Sequence, residues 1–285
     1  MTAPAVMPLT WTPSLAALID LALEEDLGRG DPTTAAMGRP GDGAGVILCR
    51  RETVVCGLPL LEWIHRRANS SVRCLTVAAE GELLQPGVTL ARLEGPIDEM
   101  LQIERTALNF LMRCCGVATH THNLVRMVAG TRARVTDTRK TLPGWRALDK
   151  YAVRVGGGAN HRFDLGSGIL LKDNHLAACG SAGEAVRLAR ASAPHPLRIE
   201  VEVESLEAAR EARDAGADIL LLDNMSPDQV RQVVVELGQE ILLEVSGGIT
   251  STNIRDYAEA GAAIISVGAL THSAMAADLS LELVA

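Results

Sequence analysis

Aromatic side chains are nearly missing from this chain: its 285 residues include three Trp, two Tyr and two Phe. Proteins that hold single-stranded nucleic acid stack its bases on aromatic rings, and those that hold duplexes present a basic face. A chain with 2 % aromatics and a formal net charge of −8 offers neither, which excludes nucleic acid as its main partner. Long apolar runs are lacking too. None approaches the ~20 residues needed to span a bilayer, and the first residues hold no basic segment leading into an apolar one. These absences predict a cytoplasmic protein with no membrane partner. Six cysteines occur (Cys49, Cys56, Cys74, Cys114, Cys115 and Cys179), but with no C-x-x-C pair and no His/Cys spacing of the kind that holds zinc. They are expected to be small buried hydrophobes in a reducing compartment. Lysine is the last scarcity: of 27 formal cations, only Lys140, Lys150 and Lys172 are lysines.

What is present is aliphatic. Hydrophobic residues make up 47 % of the chain, and with so few aromatics the core must be built from Leu, Val, Ile and Ala, a composition suited to layered strands and helices. The stretch from Asp137 to His175 stands out. In fewer than forty residues it gathers Arg139, Lys140, Arg154, His161, Arg162, Lys172 and His175, although the whole chain is acidic. Such a concentration of cations calls for anionic company, and ligand carboxylates or phosphates are the nearest candidates. Two of the three lysines lie in it close to Asp137 and Asp173, where a compact point charge can do what a guanidinium fork cannot.

In chain order, Pro13 to Leu27 places Leu15, Leu18, Ile19, Leu23 and Leu27 at helical spacing, and Gly28 to Pro32 breaks the pattern. Strands are expected over Gly45–Cys56, Val72–Ala78 and Val88–Leu93, with a helix over Leu58–Arg67, which makes this first part a compact α+β domain. From Ile97 to Val128 the spacing predicts one long or broken helix, with Gly116 as the candidate interruption. After Gly130 a repeating pattern begins. Apolar runs at Ala133–Asp137, Ile169–Lys172, Ile199–Glu204, Ile219–Asp223, Ile241–Ser246 and Ile264–Gly268 alternate with helix-like segments, including Ser181–Ser192, Leu206–Ala215, Ser226–Leu237 and Ser251–Ala260. Units of this kind predict a parallel sheet with crossover helices. Six strands rather than eight predict an incomplete parallel α/β barrel of the (β/α)₈ type over residues 116–272.

Barrels of this type carry their reactive residues at the carboxyl ends of the strands. Asp137, Lys172, Glu202 with Glu204, Asp223, Ser246-Gly247-Gly248 and Gly268 all fall there. Glycine turns after the last two strands are expected to cradle a phosphate on backbone N–H groups, with His272 as a minor contributor. Glu202 and Asp223, at neighbouring strand ends, suit either hydrated Mg²⁺ or the hydroxyls of a ribose. Glu200, Glu202 and Glu204 alternate on one strand, so they should face one side and need cations nearby. Arg139, His161 and Arg162 suit planar carboxylates. His120 and His122 are expected on a helix surface.

Several motifs then converge: Glu25-Asp26-Leu27-Gly28-Arg29-Gly30-Asp31, Glu104-Arg105-Thr106, Asp137-Thr138-Arg139-Lys140-Thr141, Lys150-Tyr151-Ala152-Val153-Arg154, Gly156-Gly157-Gly158, Asn160-His161-Arg162, Lys172-Asp173-Asn174-His175, Leu222-Asp223-Asn224, Ser246-Gly247-Gly248-Ile249 and Gly268-Ala269-Leu270-Thr271-His272. Together they resemble the quinolinate phosphoribosyltransferases, also called carboxylating nicotinate-nucleotide pyrophosphorylases, nearly end to end and in the family's order. The chain departs from the family pattern at Trp145, where leucine is usual, a change that bears on the loop over the site. The resemblance implies a pentosyltransferase of NAD biosynthesis that converts quinolinate and phosphoribosyl pyrophosphate to nicotinate mononucleotide, pyrophosphate and CO₂. It implies quinolinate contacts from Arg105, Arg139, His161, Arg162 and Lys172, with Thr138 beside them and Lys140 between the two substrates. Glu202 and Asp223 would hold ribose and Mg²⁺; Ser246, Gly247, Gly248, Val267, Gly268, Ala269 and His272 would hold the 5′-phosphate. Lys140, Lys172, Glu202 and Asp223 are the catalytic candidates. A homodimer, with Arg105 reaching the partner's site, is also implied, as is an N-terminal α/β sandwich over residues 1–115 completed by residues 273–285. Three other readings remain at this stage: a same-fold paralogue acting on another carboxylated base or in metal metabolism, a barrel aldolase using Lys172 as a Schiff-base nucleophile, and a non-catalytic anion-binding protein.

Overall fold

The computed structural model describes residues 8–38 and 40–284. In chain order the elements are α1 Pro13–Leu27, α2 Pro32–Ala36, β1 Asp42–Cys49, β2 Thr53–Val54, α3 Leu58–Arg67, β3 Arg73–Thr76, β4 Leu83–Leu84, β5 Thr89–Pro96, α4 Ile97–Met127, β6 Arg134–Thr136, α5 Arg146–Val155 and β7 Ile169–Leu171. There follow α6 Asp173–Cys179, α7 Ala182–Ser192, β8 Ile199–Val203, α8 Leu206–Asp214, β9 Ile219–Asp223, α9 Pro227–Leu237, β10 Leu242–Ser246, α10 Ile254–Glu259, β11 Ile264–Ser266, α11 Ala269–His272 and β12 Leu279–Val284. Contacts divide the chain into two units. One runs to His122 and takes in Leu142–Gly157 and the segment from Ser273; the other comprises Asn123–Thr141 and Gly158–His272.

The first unit is built on a four-stranded sheet of order β12-β1-β5-β3, antiparallel throughout. Helix α1 starts where the Thr12 hydroxyl accepts the Leu15 N–H at 3.2 Å and Pro13 takes the first turn, where its missing N–H costs nothing. It buries Leu15, Ile19 and Leu23, four residues apart and so on one face. The run expected as one strand from Gly45 to Cys56 is interrupted after Cys49, and only Thr53–Val54 continues it, paired with β4. Helix α4 runs unbroken through Gly116. That glycine serves a close approach instead of a break: a Cβ there would lie 2.1 Å from the carbonyl oxygen of Met275. Four cysteines are buried, while Cys74 and Cys179 are partly exposed, and all six are free thiols.

The second unit carries six strands in the order β6-β11-β10-β9-β8-β7, every ladder parallel. Strand segments such as Ile219–Leu222 are nearly all apolar and mostly buried, as expected when both faces of a parallel sheet are covered. Serines begin the outer helices: Ser181, Ser205 and Ser226 accept the N–H groups of Glu184, Ala208 and Gln229. With six strands instead of eight, β6 and β7 are left as the two ends of the sheet. The chain following α5 occupies the β6 end, where Ala159 forms a parallel bridge with Thr136. Among the described residues no helix is long and apolar enough to cross a membrane.

Candidate active site

At the carboxyl ends of β7 to β10 and in the loop after β6, the second unit opens a cavity of about 410 Å³ lined by Thr138, Arg139, Lys140, His161, Arg162, Lys172, Glu202, Asp223, Ser246, Gly247 and Gly248. These residues come from six separate stretches of chain, joined by the sheet. Asp137 is wholly buried at the end of β6 and acts as an anchor: its carboxylate accepts the Asn160 amide at 2.6 Å and the His161 N–H at 2.9 Å. Two arginines follow from that anchor. Arg162 is tied by its guanidinium to the Gly168 carbonyl at 3.0 Å, and burial, then the charge of nearby Arg139, weakens its hold on its proton, opposed by Glu200 and Asp164. The Nε of Arg139 is buried with no hydrogen-bond partner among the described residues. An orphaned charged donor costs ~1–3 kcal/mol or more, and a bidentate anionic ligand would recover it.

Carboxylates line the same cavity. Lys172 is ion-paired with Glu202; the lysine is half exposed, so the pair contributes only ~0–1 kcal/mol to stability and is better explained by the site than by the fold. Asp223 accepts the Asn224 side-chain amide at 2.6 Å, and Asn224 itself lies in the left-handed region at φ 54°. Gly247 has φ 93°, and a Cβ there would sit 2.3 Å from the Asn224 side-chain oxygen, so neither the conformation nor the space admits another residue. Gly268 makes room for Lys140, whose Cδ would be 2.9 Å from an added Cβ. The Thr271 hydroxyl donates to the Lys140 carbonyl at 2.9 Å.

A second cavity of about 400 Å³ opens at the amino ends of the same strands, lined in part by Arg134, Arg198 and Ile219, and shares His161, Arg162 and Glu244 with the first. Glu200 and Glu244 are buried there. Burial and the charge of Glu200 push the Glu244 carboxyl up to about 7, while His161 and the Ser266 hydroxyl pull the other way. The expectation that the β8 carboxylates need cations is met at one of three positions: Glu202 faces Lys172, whereas Glu200 faces the His161 ring and Glu204 lies past the strand end and is exposed.

Five of the seven cations between Asp137 and His175 line the carboxyl-end cavity. The other two do not: Arg154 lies on α5 in the first unit, and the His175 ring caps α6, accepting the Lys172 N–H at 3.0 Å. Val267, Gly268, Ala269 and His272 are not among the described lining residues, although Gly268 backs Lys140. Arg105 is exposed on α4 in the first unit and is likewise not in that lining. His120 and His122 are partly buried rather than on the helix surface, and burial lowers the His120 pKa. The lining also includes Leu170, Leu221, Asn224, Glu244 and Ser266, which sequence reasoning did not assign. A charge at Glu244 inside an apolar strand, two positions before Ser246 and so on its face, was the available signal.

A family profile described as "Quinolinate phosphoribosyl transferase, N-terminal domain" matches residues 31–115, and its C-terminal counterpart matches residues 117–282. The chain belongs to the quinolinate phosphoribosyltransferase family. A Bacillus subtilis protein named as a probable carboxylating nicotinate-nucleotide pyrophosphorylase is 40 % identical over 258 residues, covering 90 % of this chain and 89 % of its own. The human protein named nicotinate-nucleotide pyrophosphorylase [carboxylating] is 38 % identical over 277 residues, covering 95 % and 92 %. A solved nicotinate-nucleotide pyrophosphorylase from Francisella tularensis superposes with a TM-score of 0.91 at 32 % identity, over 98 % of this chain and 100 % of that one. Membership in the quinolinate phosphoribosyltransferases sets aside the aldolase reading. The geometry agrees, because Lys172 is ion-paired with Glu202, the opposite of the uncharged surroundings that make an amine a nucleophile.

Proposed function

We propose that this chain is a quinolinate phosphoribosyltransferase, forming nicotinate mononucleotide, pyrophosphate and CO₂ from quinolinate and phosphoribosyl pyrophosphate, in the cytoplasm. The observation that carries this reading is the crowding of Arg139 and Arg162, one of them with an orphaned buried nitrogen, in one cavity with Glu202 and Asp223. A site that holds both cations and carboxylates suits a planar dianion beside a sugar that becomes cationic. Arg139, Arg162 and Lys172 grip the two quinolinate carboxylates, with Thr138 and His161 in the wall around them. Lys140 lies between the substrates. The 5′-phosphate is held on the backbone of Ser246, Gly247 and Gly248, with the turn after β11 (Val267, Gly268, Ala269 and His272) behind it.

Departure of pyrophosphate from the anomeric carbon builds oxocarbenium character, which carboxylates near the ribose stabilise. Once ribosylated, the pyridine nitrogen is cationic, and the ring accepts the electron pair released when the 2-carboxylate leaves as CO₂. Positioning and charge are therefore what the side chains contribute. Glu202 and Asp223 are hard oxygen donors at neighbouring strand ends, and they fit a Mg²⁺ that keeps most of its waters; such an ion would neutralise charge on the departing pyrophosphate. A homodimer in which the partner subunit's Arg105 completes the quinolinate subsite agrees with the exposure of that residue on α4.

The test is a direct assay with both substrates and Mg²⁺, following nicotinate mononucleotide and CO₂ in parallel. Equal amounts of both products from quinolinate, and none from nicotinate, are expected. Product from nicotinate but not quinolinate would overturn the reading in favour of a paralogue that uses another base.

A further inference from the structure

The β6 end of the incomplete barrel is occupied by a loop instead of a strand, and this loop carries Arg162. Its backbone is held to β6 by the Thr136–Ala159 bridge and by Asp137. On the interior side it is held through the His161 ring. Nδ1 accepts the Arg162 N–H at 2.6 Å, which places the ring proton on Nε2. Nε2 lies 3.1 Å from Glu200 on β8 and 3.5 Å from Glu244 on β10. Ser266 on β11 donates its hydroxyl to Glu244. The imidazole thus spans from the loop to two strands, and through Glu244 to a third, with both ring nitrogens engaged inside the protein.

We propose that Glu200 and Glu244 are positioning residues which, by gripping Nε2 of His161, lock the Ala159–Arg162 backbone and aim Arg162 at the substrate carboxylate, His161 serving as a strut rather than as a hydrogen-bonding ligand. This deepens the functional reading given above and rests on it. The chemistry fits the placement. A guanidinium recognises a carboxylate by a bidentate fork whose geometry tolerates little displacement, and a loop at a sheet end has no ladder on its far side to hold it. A buried carboxylate pair is an expensive way to stabilise a fold, but as the receiver of an Nε2–H it orients one ring in one tautomer, as carboxylates behind functional histidines do.

The experiment is a double-mutant cycle in the full-length enzyme, with Glu200→Ala, Glu200→Gln, Glu244→Ala, His161→Ala and the His161→Ala/Glu200→Ala pair. The expected result for Glu200→Ala is a rise of about tenfold in quinolinate KM, with kcat and the phosphoribosyl pyrophosphate KM within about threefold. Glu244→Ala should act in the same direction. Glu200→Gln keeps an acceptor oxygen and should recover most of the loss, and the double variant should be no worse than His161→Ala, because the glutamate acts through the ring. Additive effects in the pair, equal rises in both KM values, or an unchanged quinolinate KM would overturn the proposal. Nitrogen-15 spectra of the His161 ring need no turnover. An Nε2–H tautomer that changes in Glu200→Ala supports the strut even if quinolinate is not the substrate, and an Nδ1–H tautomer in the wild type ends it.

Discussion

Lys140 is the residue on which the proposed chemistry leans most. Its side chain passes so close to Gly268 that a methyl group there would meet it, and its carbonyl is fixed by Thr271, so an exposed lysine is held over the cavity by contacts on its stem and backbone. A cation placed between the two substrates acts on charge that develops during the reaction, whereas Arg139 and Arg162 act on charge already present in the bound acid. Replacing Lys140 by Ala is therefore expected to lower kcat by on the order of 100-fold while quinolinate binding weakens less than about threefold. Steady-state kinetics paired with calorimetry on the same variant checks it, and unchanged turnover would remove Lys140 from the mechanism. The scarcity of lysine was a sound guide at this scale: Lys140 and Lys172 line the cavity, whereas Lys150 is buried on α5. Charge density was a less exact one, since Arg154 and His175 belong to the same run of sequence but not to the site. A linear count of cations cannot tell which ones a turn directs elsewhere.

At the scale of elements, the parallel unit was the most legible part of the chain. Each of its six apolar runs became a strand, and Ser181, Ser205 and Ser226 cap helices that follow from the same pattern. Periodicity suffices there because both faces of each strand are covered, which leaves a continuous apolar signal. The elements that escaped were short ones, among them α2, β4, α6 and α11, and helices such as α5 that carry many charges. Gly116 left the helix long or broken for a related reason: within a helical pattern a glycine marks either a weak point or a near neighbour, and only the packing distinguishes them. Here the neighbour is the backbone at Met275 and Ala276, within the same unit. Gly116→Ala should consequently destabilise by about 3 kcal/mol or more, since main chain must shift to make room. A fall in the thermal midpoint of roughly 5 °C or more, with the helical signal retained, is the expected observation; an unchanged midpoint would mean that the contact at Met275 yields readily.

For the molecule as a whole, the proposed homodimer makes a prediction that no single-chain property does. If the partner subunit's Arg105 completes each site, Arg105→Ala and Lys140→Ala chains are each nearly inactive alone, yet mixed dimers contain one site with both residues intact. Statistical mixing should restore about a quarter of wild-type activity, the signature of a site shared across a symmetric pair. Mixing without recovery, in chains verified to exchange, would place Arg105 outside the partner's site. By itself the amino-acid order determined the aliphatic core, the alternation of strand and helix, the six-strand count and the cations and carboxylates reserved for strand ends, because these are local patterns of polarity and spacing. Only the tertiary structure decided that Glu244 and Ser266 belong with His161, that Asp137 is an anchor rather than a ligand, and that Arg162 is aimed by a strut. Those outcomes depend on which strands become neighbours and on how a gap in the barrel is filled, and such contacts between distant segments leave no period in the sequence.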